Sequence, residues 1–257
     1  MKFRPCIDIH NGEVKQIVGG SLLDEGNKAT ENFVSKQDAA YFSRLYADND
    51  LKGGHVILLN PSGSEYYEKT KEQALLALRE NPGFLQIGGG INADNAKEFL
   101  EAGASHVIVT SYVFKDGRLN WEALQNMVSA VGKDKLVLDL SCRKKGDSYY
   151  IVTDRWQKFT EFVLSKELIC ELSSSCDEFL VHATDVEGLS RGIEENVASI
   201  LKDSPIPVTY AGGVHSFEDL DKLRELGNNR VDVTIGSALD IFGGSMKFED
   251  VLSYMNK

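Results

Sequence analysis

The sequence predicts an α/β fold of one domain, a closed (β/α)8 TIM barrel over residues 1–257 built from two similar halves, and three observations predict it. Strand-like and helix-like stretches alternate eight times with little chain between them, which implies parallel pairing through right-handed crossovers. The second half echoes the first: Phe84 to Ile91 (FLQIGGGI) by Pro207 to Val214 (PVTYAGGV), and Val107 to Ser111 by Asp232 to Ser237. The first apolar run, Pro5 to Ile9, carries Asp8 near its end and is not followed by a GxGxxG turn, which disfavours the alternative, a doubly wound open sheet.

Taken in order, the first strand turns at Asn11-Gly12 and returns as a ribbon over Glu13 to Val18. Ser21 to Ser35 is polar and reads as a mobile loop. Gln37 to Asn49 reads as a helix with Ala40, Leu45 and Tyr46 inward, followed by strand Val56 to Leu59 and a helix over about Glu65 to Arg79. Phe84 to Ile87 is the third strand, ending at Gly88-Gly89-Gly90, and Asn92 is placed to cap the helix Ala93 to Ala102. His106 to Val109, helix Trp121 to Val131, strand Leu136 to Leu140, helix Ser165 to Ser174, strand Glu178 to Val181 and helix Ile193 to Leu201 follow. Ile206 to Tyr210, Phe217 to Leu226, Val231 to Ile235 and Met246 to Tyr254 complete the eight units. The plan of strand, aspartate, turn and ribbon recurs once: Lys135 to Leu140 carries Asp139, then come the turn Lys145-Gly146-Asp147 and the ribbon Ser148 to Val152.

At 42% hydrophobic and 26% charged, a chain of 257 residues can bury a large core, and no apolar stretch approaches the roughly 18 residues of a membrane span. Met1-Lys2-Phe3-Arg4 leads straight into a strand, so no secretory signal is expected and the chain reads as cytoplasmic. Cys6, Cys142, Cys170 and Cys176 form no CxxC pair and the five histidines are scattered, which indicates neither a disulfide framework nor a metal site. Twenty-eight basic against 39 acidic residues, a net charge of −11, argue against a nucleic-acid surface. A phosphorylated ligand would need local backbone donors instead.

Those donors are where the repeat places them. Glycine lets a backbone approach an anion closely, and free N–H groups at a helix amino terminus favour phosphate. Gly89, Gly90, Thr110 and Ser111 in one half, and Gly212, Gly213, Gly236 and Ser237 in the other, form two candidate phosphate sites facing one another across the barrel mouth. Asp8 and Asp139, at equivalent places in the halves, suggest a paired acid and base; their spacing does not say which is which. Lys15 and Arg143 are candidate cationic contacts, while His182 and His215 read as satisfied polar residues.

These residues carry a resemblance. Cys-Ile-Asp-Ile-His-Asn-Gly at 6 to 12, Gly-Gly-Gly-Ile at 88 to 91, Val-Leu-Asp-Leu-Ser-Cys-Arg at 137 to 143, Asp-Val-Glu-Gly at 185 to 188 and Ala-Gly-Gly-Val at 211 to 214 stand in the order and spacing of one family. Over nearly the whole chain the sequence resembles the phosphoribosylformimino-aminoimidazole-carboxamide ribotide isomerases of histidine biosynthesis, the HisA type, in their eukaryotic-type branch. The sister cyclase has Asp-Ala-Lys-Arg at the fifth strand, where this chain has Asp139-Leu140-Ser141-Cys142. The resemblance implies an Amadori rearrangement of a bisphosphorylated small molecule, with no cofactor and no metal, Asp8 as general base and Asp139 as general acid for ring opening. It also implies that loops 21–35 and 144–155 close over the ligand and bring Trp156 onto its imidazole. Around the sixth strand the bacterial Thr-Asp-Ile-x-x-Asp-Gly is shortened to Thr184-Asp185-Val186-Glu187-Gly188, so Thr184 is either the family's site threonine or one position from it, and Glu187 is equally open. The cyclase, which needs an ammonia-supplying partner, and a catalytically silent phosphate-binding barrel are the rival functions; the chain is expected to be a monomer without nucleic-acid or membrane partners.

Overall fold

The computed structural model describes residues 1–17, 31–154, 156–189 and 191–256. Eight parallel strands form the wall: β1 (Cys6–His10), β2 (His55–Leu58), β3 (Gln86–Gly88), β4 (Val107–Val109), β5 (Leu136–Asp139), β6 (Glu178–His182), β7 (Val208–Ala211) and β8 (Val231–Thr234). Neighbours pair in register, Asp8 beside Ile57, Ile57 beside Gly88, Val109 beside Leu138, Leu180 beside Asp139 and Ala211 beside Thr234. The wall closes through a parallel bridge between Phe3 and Val233. Helices follow each strand: α1 (Ala39–Asp48), α2 (Tyr67–Glu80), α3 (Ala96–Glu101), α4 (Trp121–Val131), α5 (Lys166–Leu172), α6 (Glu195–Leu201), α7 (Phe217–Leu226) and α8 (Phe248–Met255).

Alternation along the strands divides the apolar residues into two sets. Ile7, Ile9, Leu138, Phe179, Val181 and Tyr210 pack outward with helix residues such as Phe42, Leu78, Phe99 and Leu223 in the main core. Ile108, Val137, Leu180 and Ala211, with Ile57 against them, form a separate cluster that fills the barrel interior. Side-chain caps fix several helix starts: Asp38 accepts from Tyr41 N, Asn120 from Ala123 N and Ser165 from Leu168 N, and Ser216 with Asp219 forms a full capping box on α7.

Two expectations are corrected. Asn92 does not cap α3; its side chain accepts from Asp94 N and Asn95 N, closing a separate turn, and the helix begins only at Ala96. The stretch 144–155, expected to close over a ligand as a loop, is largely sheet, with the ribbon read at Ser148 to Val152 in place: strands Cys142–Lys145, Ser148–Thr153 and Lys158–Val163 form an antiparallel layer beyond β5, with Arg155 outside the described residues. At the other end of the repeat, Asn11 (φ 55°) and Gly12 (φ 81°) make a two-residue left-handed turn, and Glu13–Ile17 returns antiparallel to β1. Glu31–Val34 adds a third ribbon to it; residues 18–30, most of the loop read at 21–35, lie outside the described residues.

Candidate active site

Strand register brings the chemistry to one end of the barrel. Asp139 and His182 end β5 and β6, and Asp8, in the middle of β1, faces the same carboxyl-terminal mouth, where a barrel's loops converge. They line a cavity of about 320 Å³ together with Gly89, Gly90, Thr110, Ser111, Trp156 and Glu187. A second lobe of about 30 Å³ is lined by Gly212, Gly213, Thr234, Gly236 and Ser237, and the two lobes share Asp8, His182 and Glu187 as their common wall. Each lobe thus holds one Gly-Gly pair with left-handed backbone, Gly89 and Gly90 at φ 95° and 70°, Gly212 and Gly213 at 122° and 76°. The glycines are required by contact as well as by φ: a Cβ on Gly89 would stand 2.1 Å from the Leu58 carbonyl oxygen, and one on Gly213 2.1 Å from that of Gly192. Neither pair abuts its helix, since α3 starts at Ala96 and α7 at Phe217, so each lobe presents a glycine turn rather than a helix end.

The two aspartates occupy unlike surroundings. Burial pushes Asp8 up to about 7, the nearby Glu187 carboxylate adds to the rise and His182 opposes it. Its one side-chain donor among the described residues is distant: Gln16 Nε2 lies 3.5 Å from Oδ2. Asp139 is equally enclosed, and burial works to raise it too, but His182 and two Ser141 hydrogen bonds prevail and hold it below the ordinary carboxylate value. Ser141 N and Oγ donate to Asp139 Oδ1 at 2.8 and 2.6 Å, and His182 Nδ1 stands 3.7 Å from the same oxygen. His182 is in turn raised to about 9: burial alone would lower it, and Asp139, Glu187 and Asp8 overcome that. His55, ring to ring with His182 at 6.0 Å, goes the other way, lowered to about 3 chiefly by burial. Among the described residues no group of three or more His, Cys, Asp or Glu side chains has the arrangement to hold a metal ion.

Of the residues picked out by sequence, Asp8, Asp139, Gly89, Gly90, Thr110, Ser111, Trp156, Gly212, Gly213, Gly236 and Ser237 line the two lobes. Lys15, Arg143 and Thr184 do not. Lys15 is buried away from the lobes with its ammonium 3.1 Å from Glu13; on the same ribbon it is Gln16, one position on and therefore on the other face, that reaches Asp8. Arg143 is held by Asp185 at 2.9 Å and lies over the Phe159 ring. Thr184 donates to the Cys142 carbonyl, stitching β6's end to the antiparallel layer. In the shortened loop Glu187 lines the cavity and Thr184 does not, and the buried Oε2 of Glu187 has no hydrogen-bond partner among the described residues. Thr234 Oγ1 in the second lobe is likewise unpartnered. Sequence reading passed over Thr234 and Ser141 and took His182 for a satisfied polar residue; the only signal was position, at or just past a strand's carboxyl end. Trp156 meets the site through its indole Nε1, which donates to Ser141 Oγ at 3.1 Å, with its ring 5.6 Å from that of His182.

A family profile described as histidine biosynthesis protein matches residues 2–246. The chain is 52% identical over 262 residues to the chloroplastic 1-(5-phosphoribosyl)-5-((5-phosphoribosylamino)methylideneamino) imidazole-4-carboxamide isomerase of Medicago truncatula, covering 100% of this chain and 82% of that protein. It is 49% identical over 247 residues to the isomerase of the same name in Neurospora crassa, covering 95% of this chain and 93% of that one. Against the Saccharomyces cerevisiae isomerase of that name the identity is 45% over 265 residues, covering 100% and 98%.

Proposed function

The chain belongs to the histidine biosynthesis protein family and is an aldose-ketose isomerase of that pathway, and on this premise we propose an Amadori rearrangement run by Asp139 as acid and Asp8 as base. The observation that carries the reading is the shared cavity: two aspartates from repeat-related strands, β1 and β5, face one space with a Gly-Gly turn in each lobe. The substrate is the bisphosphorylated aminoaldose. One phosphate sits at Gly89, Gly90, Thr110 and Ser111, the other at Gly212, Gly213, Gly236 and Ser237, which stretches the sugar between the two carboxyls. Asp139 gives a proton to the ring oxygen as the ring carbon–oxygen bond breaks; Asp8 then takes the proton from the second sugar carbon and passes it to the first as the enol collapses to the ketone. A base works best with a pKa near the working pH, and Asp8 at about 7 is so placed. Trp156, anchored by Ser141 at the rim, covers the aminoimidazole.

Positioned proton transfer contributes about 10²–10⁴-fold, roughly 3–5 kcal/mol of barrier. Asp8→Asn and Asp139→Asn are each expected to lose turnover on that scale while substrate binding is nearly kept. In deuterated solvent, residual Asp139→Asn enzyme still exchanges the sugar-carbon proton of the open-chain product, and Asp8→Asn does not. Exchange at the native rate by Asp8→Asn would reverse the roles.

We further place the chain in the cytoplasm as a monomer. All four cysteines are free and three are buried, as suits a reducing compartment, and no helix among the described residues is long and apolar enough to cross a membrane. Cell fractionation and sedimentation of the purified chain check these two statements.

A further inference from the structure

An acid must hold a proton when it is needed, and the surroundings of Asp139 strip that carboxyl of its proton. The contacts around Ser141 show where a proton is kept instead. The Ser141 hydroxyl donates its only hydrogen to Asp139 Oδ1 at 2.6 Å. Its oxygen receives the Trp156 indole N–H at 3.1 Å, and the indole can only donate. The contact from His182 Nδ1 to the same oxygen, 3.3 Å, is then left one sense: Nδ1 carries hydrogen and Ser141 accepts it. Carboxylate, hydroxyl and imidazole form a chain with every hydrogen accounted for, and its last member, His182, lines both lobes of the cavity. Resting on the reading of Asp139 as the ring-opening acid, we propose that His182 is its positioning residue, storing through Ser141 the proton that Asp139 delivers.

The transfer balances without a further reactant. As the ring carbon–oxygen bond breaks, its electron pair stays on the sugar oxygen, which takes a proton from Asp139. The Ser141 hydroxyl proton moves to Asp139, the His182 Nδ1 proton moves to Ser141, and the imidazole is left neutral. When the enol becomes the ketone, Asp8 gives the proton it took to the first sugar carbon and the enol hydroxyl releases one proton, which returns along the same chain, so the isomerisation ends with Asp8 ionised and His182 charged again. Three carboxyl groups face the imidazolium, Asp139 from β5, Asp8 from β1 and Glu187 from the loop after β6, while the one other titratable ring against it, His55 from β2, is held neutral. That surrounding keeps His182 charged through neutral pH.

Nuclear magnetic resonance titration of histidine-labelled protein tests the storage directly. Native His182 is expected to stay an imidazolium through pH 7 with a midpoint near 9, and in Asp139→Asn the midpoint falls by two or more units, toward or below the ordinary histidine value of about 6.5. A native His182 that is neutral at pH 7, or one whose midpoint does not move in Asp139→Asn, overturns the proposal whatever the activity. The second arm is kinetic. His182→Gln can still donate to Ser141 but cannot titrate, so kcat at pH 8 falls about tenfold or more with KM held within about twofold, and the alkaline limb of the kcat profile moves from near 9 to lower pH. A uniform loss at every pH, with the limb unmoved, marks a merely structural histidine and rejects the idea. If instead Asp139→Asn keeps native turnover while the titration behaves as described, the acid assignment fails and the histidine–carboxylate coupling survives.

Discussion

Asp8 is held where its charge is unwelcome, and that has consequences for both rate and stability. Because Glu187 helps to raise it, Glu187→Gln should lower its pKa and shift the acid limb of kcat/KM, set near 7 by Asp8, to lower pH; an unmoved limb means the two carboxyls do not communicate. The linkage has a definite sign. A carboxyl raised from 3.8 to about 7 binds more protons folded than unfolded between those values, so its contribution is lost as pH rises through that window. Asp8→Asn should therefore stabilise the fold above pH 7, by at most about 4 kcal/mol, and leave it unchanged below pH 4; equal unfolding midpoints at pH 5 and pH 8 relative to native would contradict this. Asp8 and Asp139 were legible in the sequence because an aspartate in an apolar run stands out. His182 was not, since a histidine ending a strand has no pattern of its own; Glu187 was legible only as an open candidate of the shortened loop, and only folding reveals that both face Asp8. Lys15 misled for a simpler reason: charge drew the eye to it, while the pleat gave the inward place to Gln16.

Among elements, the helices α4 and α7 were read to the residue, because a capping asparagine or serine and an amphipathic run bound them on the side that matters. The antiparallel layer over Cys142–Val163 was read only as far as its first hairpin. Lys158–Val163 pairs with Ser148–Thr153 through a register shift between Tyr150 and Val152, and such irregular pairing breaks the even alternation by which strands are recognised. The glycine turns give a test at this scale. At Gly90 an added Cβ meets nothing within 4 Å of the protein and would project into the cavity, although φ of 70° makes any side chain there somewhat strained. Gly90→Ala should thus raise KM several-fold with a smaller effect on kcat, as expected for a grip used equally in substrate and transition state. Gly89→Ala, whose Cβ would strike the Leu58 carbonyl, should instead lower the unfolding midpoint by the equivalent of 1–3 kcal/mol or so. Similar KM and stability for both variants would remove the turn from phosphate binding.

At the scale of the whole molecule, the end of the barrel opposite the cavity is closed by a polar plug. Arg4 lies 2.9 Å from Asp232 and 3.6 Å from Glu178, and Glu178 also receives Gln86 and Thr209 at 3.1 and 2.9 Å, which ties together β3, β6, β7, β8 and the chain entering β1. Arg4→Met would leave two buried carboxyls without their cation and should reduce stability by about 3–5 kcal/mol, with kcat per folded molecule unchanged; a urea midpoint near native would show the plug to be dispensable. One core runs through both halves, so the chain is expected to unfold in a single cooperative transition despite its repeat, and two resolved transitions would reveal independent halves. The wall itself is uneven. β8 meets β7 over four registered residues, yet it meets the chain ahead of β1 through one bridge, held by Arg4 N to the Val233 carbonyl at 2.8 Å and Val233 N to the Lys2 carbonyl at 2.9 Å, with the Asp232 carboxylate pinning Lys2 N at 2.7 Å. A cask parts first at a short joint, and among the described residues only β3 beside β4, registered through Ile87 and Val107 alone, is as short as this one. Breathing of this one would convert a closed wall into a curled ribbon with two bare edges, so the joint, rather than the cavity, is where crowded copies of the chain would begin to zip onto one another.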